Sequence, residues 1–142
     1  MAALSRTAAS LRIMGPDLDP DEITRLLGKT PERAEKRGQV IRGKSGHERT
    51  ARQGTWGVRA EPSSPGDLDA QIAALLAGTT DDLTVWQKVV SAFRADVFCG
   101  LFLEGSNEGL EISPATMKML GDRGLKLGLD IYGGDNGDDS DR

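Results

Sequence analysis

Apolar and polar residues alternate over 5–14, with Ala9, Leu11 and Ile13 on one side and Ser10, Arg12 and Met14 on the other. A period of two predicts a strand with one face on a core. After Gly15-Pro16-Asp17 the period lengthens. Ile23, Leu26 and Leu27 follow one helix face, and Gly28 ends it. Residues 29–53 are polar and basic, and predict one short strand near Gln39-Val40-Ile41 with a flexible loop, RGKSGHERTARQG, after it. Alternation returns over 54–61, with Trp56 and Val58 on one face.

PSSPGD (62–67) is a linker. A second helix starts near Asp67 and places Leu68, Ile72, Leu75 and Leu76 on one stripe. Gly78 breaks it, and Thr80 caps a continuation with Leu83, Trp86, Val90 and Phe93 inward. ADVFCGLFLEG (95–105) is the strongest strand. Its two faces, Val97-Cys99-Leu101-Leu103 and Phe98-Gly100-Phe102, are both apolar, which predicts cover on both sides, at least in part. A third helix follows in EISPATMKMLGDRG, with Met117 placed as Ile23 is and Gly121 as the stop. The last strand turns Leu125, Leu127, Leu129 and Ile131 inward.

The order is strand, helix, strand, strand, helix, strand, helix, strand. It predicts an α+β fold: a ferredoxin-like βαββαβ sandwich, extended by a C-terminal helix and strand, with a mainly antiparallel sheet. Residues 1–132 form one domain in this reading, and 133–142 an acidic, disordered tail.

Composition narrows the function classes. The chain has 142 residues, 37% of them hydrophobic, enough for a core. The net charge is -4, but Asp135, Asp138, Asp139 and Asp141 lie in the tail against Arg142. The body is therefore near neutral, and nucleic acid is not an expected partner. Cys99 is alone, so no intrachain disulfide forms, and His47 is alone, so a His-rich metal site is excluded. The first residues are interrupted by Arg6 and Arg12 and no later apolar run spans a bilayer, so neither signal peptide nor membrane is expected, and the location reads as cytoplasmic.

Asp17, Asp19, Asp21 and Glu22 invite a metal reading. Counted from Asp17, an EF-hand loop needs Gly at position six and Glu at position twelve, where the chain has Glu22 and Gly28. A helix start accounts for more. Asp19 serves as N-cap and Pro20 as first helical residue; Glu22 closes a capping box, and Leu18 with Ile23 forms a hydrophobic staple.

Other chemistry is sparse. Cys99 and His47 would need to meet to act as nucleophile and base, and a mid-strand cysteine reads as a small buried hydrophobe. The basic stretch with Arg33, Lys36, Arg37, Arg42, Lys44, Arg49 and Arg52 reads as a solvated loop. One pocket is conceivable, in which Arg37 and Arg59 hold an anion and Trp56 stacks on it. Asp130 and Tyr132 share the polar face of the last strand and extend this ligand-binding set. No phosphate loop or glycine fingerprint is present, so no cofactor is expected, and no catalytic or metal-binding residue is assigned.

SLRIMGPDLDPDEITRLLGKTPERAEKRGQ, Trp56 within GTWGVRAE, and the closing EISPATMKMLGDRGLKLGLDIYG together resemble the bacterial family called domain of unknown function 4279. Its most specific marks here are Asp19-Pro20, Ile23-Thr24, Leu27-Gly28, Pro31, Gly38, Trp56 and Asp130-Ile131-Tyr132. The resemblance implies a small cytoplasmic α+β domain and carries over no reaction, cofactor or catalytic residue. The expected function is a non-enzymatic protein-binding module, immunity-like or regulatory by analogy. The alternative is a small-ligand sensor or enzyme with an anion-holding pocket near Trp56. Self-association through a sheet edge, giving a homodimer, is a third reading, which the sequence neither supports nor excludes.

Overall fold

A computed structural model of the chain describes residues 2–133. In order these form β1 (Ala2–Ala3), β2 (Arg6–Gly15), α1 (Pro20–Leu27), β3 (Arg33–Glu35), β4 (Val40–Arg42), β5 (Glu48–Thr50), β6 (Gly54–Arg59), α2 (Leu68–Leu76), α3 (Leu83–Ala92), β7 (Arg94–Phe102), β8 (Glu108–Gly109), α4 (Pro114–Arg123) and β9 (Lys126–Tyr132). The fold is α+β, and most strand pairs are antiparallel. The acidic segment expected to be disordered falls, from residue 134 on, outside the described residues.

The main sheet has the order β3-β6-β2-β7-β9. Strand β2 sits in the middle, antiparallel to both β6 and β7, and β9 joins β7 in parallel. Alternation decides which side chains go inward. Ala9, Leu11, Ile13, Trp56, Val58, Val97, Cys99 and Leu101 are buried against apolar residues of all four helices. The opposite sheet face carries Ser10, Arg12, Phe98 and Phe102, all only half-buried. Cover on both sides of β7 was the expectation; the structure corrects it, because every helix docks on the Val97-Cys99-Leu101 side.

Helix α1 begins and ends where the capping grammar places it. The Asp19 carboxylate accepts from the Asp21 N–H at 3.0 Å, and Gly28 closes the helix at φ 78°, which a side chain would resist. The capping box does not form, because Glu22 turns outward to pair with Arg25. Leu18 and Ile23 both lie in the core, as a staple requires.

Three other expectations change. Helix α3 is capped by Asp82 rather than Thr80, whose hydroxyl instead accepts from the Asp82 N–H. Trp86 and Val89 are its buried residues, Val90 and Phe93 pack half-buried against the core as expected, and Leu83 is exposed. Helix α4 runs through Gly121 and stops at Gly124, where φ is 71°. Its orientation follows Asp69 of α2, which accepts from the Ser113 N–H at 3.0 Å and the Thr116 hydroxyl at 2.6 Å. Thr116 and Leu120 thus face inward and Met117 faces out, 56% exposed. Leu125, just before β9, and Leu127 on it enter the core, but the helices leave Leu129 and Ile131 at 50% and 61% exposure.

The basic stretch is ordered rather than a free loop. Strands β4 and β5 form a hairpin, and Ala51 closes it by exchanging backbone hydrogen bonds with Gln39 and Gly38 at 2.8 Å. No hydrophobic period marks β3 or β5, because their side chains pair through charge. Glu35 is buried and accepts from both Arg33 and Arg49 at 2.8 Å. Arg42 pairs with Glu48 across the hairpin.

Candidate functional site

Strand alternation that buries Trp56, Leu11, Val97 and Cys99 sends their neighbours to the uncovered face. There, Arg6, Phe102 and Tyr132 are cross-strand neighbours on β2, β7 and β9. The Arg6 guanidinium lies over the Phe102 ring, 3.9 Å from its centre. Tyr132 stacks on the same ring at 4.7 Å, with 2° between the planes. A second layer repeats the arrangement: Arg12 covers Phe98 at 4.4 Å and forms a two-pronged ion pair with Asp96, at 2.9 and 2.7 Å. Cation–π contact and ion pairing shield these rings from water without a covering element.

Between the aromatic layers lies a shallow trough of about 420 Å³. Its floor is Ala8, Ser10 and Gly100; its walls are Phe98 and Phe102 on one side and Arg59 on the other. A Cβ at Gly100 would sit 2.9 Å from the Phe102 ring, so any larger residue would make the ring shift from its place across the sheet. The apolar floor comes from small residues on β2 and β7, and the polar rim from Glu32, Arg59 and Glu61.

The groups around the trough are engaged unequally. The Tyr132 hydroxyl donates to Asp130 at 2.7 Å, and that carboxylate raises the phenol pKa by holding its proton in place. Arg59 lies 3.7 Å from Glu32, and its side chain remains 81% exposed. Cys99 faces the core, where desolvation pushes its thiol up to about 11, so it stays protonated. His47 is exposed in the β4–β5 hairpin, and the two do not form a dyad.

The proposed ligand set is therefore divided. Arg59 and Tyr132 line one trough, and Asp130 adjoins it through Tyr132. Trp56 is fully buried beneath the sheet, its indole N–H donating to Thr24 Oγ1 at 3.0 Å, so it cannot stack on a surface ligand. Arg37 lies apart, 3.2 Å from Asp17. Lys36 similarly approaches Asp19 at 3.8 Å. The acids at the start of α1 thus tether the basic segment. Among the described residues no group of three or more His, Cys, Asp or Glu side chains is arranged to hold a metal ion.

Sequence reading missed Arg6, Ala8, Phe98 and Phe102 as site residues. The signal was available: a β7 face bearing Phe98-Gly100-Phe102 stands beside a β2 face bearing arginines, and an enclosed core would not combine them.

An α+β domain with helices on one sheet face and an arginine–aromatic trough on the other is the class these features define. The chain belongs to the family described as Domain of unknown function (DUF4279), whose model matches residues 5–134. No curated protein and no solved structure matches it. Among the described residues no helix is long and apolar enough to cross a membrane.

Proposed function

We propose that the chain is a non-enzymatic protein-binding module and that its contact surface is the uncovered sheet face. The trough between Phe98, Phe102 and Arg59 carries this reading. Its occupant is a polypeptide segment of a second protein that lays an apolar side chain on Ala8 and Gly100 and turns a carboxylate toward Arg59. Small floor residues admit such a side chain, and the rings beside it supply rigid apolar area. Further support comes from Tyr132 at the trough: its hydroxyl is committed to Asp130, which suits orientation of a partner better than proton transfer.

Ala8→Arg fills the floor without touching the core. Native mass spectrometry of complexes formed in host extract would compare it with wild type and with Lys118→Glu on exposed α4. A partner kept by wild type and Lys118→Glu but lost by Ala8→Arg, at equal melting temperature, supports the reading. A partner retained by Ala8→Arg overturns it.

One observation favours a second reading, a small anionic ligand in the same trough. Among the described residues Arg59 is held by a single 3.7 Å contact and is open to a carboxylate or phosphate. In the same spectra this reading predicts a small added mass, lost on Arg59→Ala.

A further inference from the structure

The outer edge of β9 carries a self-complementary stretch. Lys126-Leu127-Gly128-Leu129-Asp130 has oppositely charged ends placed symmetrically about Gly128. Turned by a two-fold axis through Gly128, the strand sets each Lys126 opposite the other copy's Asp130 and each Leu127 opposite the other copy's Leu129.

Backbone direction fits the same axis. The Tyr132 carbonyl accepts from Leu103 N–H at 3.1 Å, so Tyr132 points its backbone groups at the β7 side. The register between β7 and β9 is unbroken from Lys126 to Tyr132, so Lys126, Gly128 and Asp130 point the same way. Leu127, Leu129 and Ile131 then direct their N–H and C=O groups to the outer edge, where no strand of the main sheet pairs with them. With the axis at Gly128, Leu127 and the other copy's Leu129 are a hydrogen-bonded pair, and Lys126 and Asp130 fall at a non-bonded position, where side chains come closest.

Side-chain exposure points to the same edge. Leu129 and Ile131 are 50% and 61% exposed although they share the face of Val97, Cys99 and Leu101. Beside a second β9 they would continue the core. A seven-residue edge that no strand among the described residues pairs with, and that carries exposed leucine and isoleucine, is an association surface unless something covers it.

We propose that a second copy of this chain covers it. The two β9 strands pair antiparallel about Gly128, and two five-stranded sheets join into one of ten. The uncovered faces of both copies then lie side by side, and the dimer forms whatever those faces bind.

Light scattering across a concentration series reads the mass, and cysteine cross-linking reads the register. The wild type is expected at twice the chain mass. Lys126→Asp and Asp130→Lys each put like charges opposite one another twice, and each weakens dimerisation by more than about tenfold. The double exchange restores it. Gly128→Cys forms a covalent dimer on mild oxidation, and Leu129→Cys does not. A Cβ at Gly128 meets only a Phe98 ring atom at 3.6 Å, so the first variant folds. A wild type that stays monomeric overturns the proposal, as does a double exchange that fails to rescue. Efficient cross-linking at Leu129 instead of Gly128 overturns the register.

Discussion

The indole N–H of Trp56 donates to the hydroxyl of Thr24, 3.0 Å away, and that hydroxyl donates in turn to the Pro20 carbonyl at 3.0 Å. Through this chain the middle of β6 is fastened to the first turn of α1. The ring is fully buried, so its role is to hold strand to helix. Trp56→Ala should destabilise the fold by about 3–5 kcal/mol, and Trp56→Phe, which keeps much of the volume but loses the donor, by about 1–2 kcal/mol. Urea unfolding of the two variants measures both. A Trp56→Ala protein as stable as wild type would contradict the assignment.

Gly54 begins β6 under tighter constraint than Gly57. A Cβ at Gly54 would fall 2.0 Å from the Leu18 carbonyl oxygen, whereas one at Gly57 would meet the Leu11 carbonyl at 3.2 Å. Gly54→Ala must therefore push apart β6 and the segment that leads into α1. A loss of about 1–3 kcal/mol is expected, clearly larger than for Gly57→Ala, by thermal melting.

Glu35 gives the hairpin a pH dependence. Its carboxyl is held below the ordinary value of 4.5, first by the hydrogen bond from Arg33 and then by Arg49. A carboxylate with a depressed folded-state pKa adds stability that is fully present above its unfolded value. That stability is lost as pH falls through the folded value. The melting temperature of wild type should exceed that of Glu35→Gln at pH 7, and the gap should narrow as pH falls from 4.5 through the lower folded value. A gap unchanged at low pH would remove Glu35 as the cause.

Asp69 orients α4 by accepting from Ser113 N–H and the Thr116 hydroxyl. Asp69→Ala leaves both donors without their acceptor and should lower stability by about 1–3 kcal/mol. Asp69→Asn keeps an oxygen and should lose less. Hydrogen exchange should localise the loosening to the first turn of α4.

Much of the α+β fold was legible because period and punctuation agreed. Helix α1 is the clearest case: cap, proline, apolar face and glycine stop all lie in consecutive residues. Ser113 and Pro114 announced α4 in the same way, but its rotation was not legible, because Asp69 lies 44 residues from Ser113. Of the β4–β5 hairpin only β4 was legible, from Val40 and Ile41; β5 was not, since Arg49 meets Glu35 of β3 by charge and leaves no apolar period. The candidate site was read only in part. Arg59 and Tyr132 belong to one trough, but its walls are rings, and phenylalanines on an uncovered face look like core residues until the arginines opposite them are placed.

The middle place of β2 has a consequence for synthesis. Thr7 must await Gln71, 64 residues on, and Arg12 must await Asp96, 84 residues on. At ordinary translation rates that interval is on the order of ten seconds. Leu11 and Ile13 are in the nascent chain for all of it, with their β6 partners made partway through and their β7 partners only at its end. The strand that later organises the whole sheet thus keeps one edge open until β7 emerges.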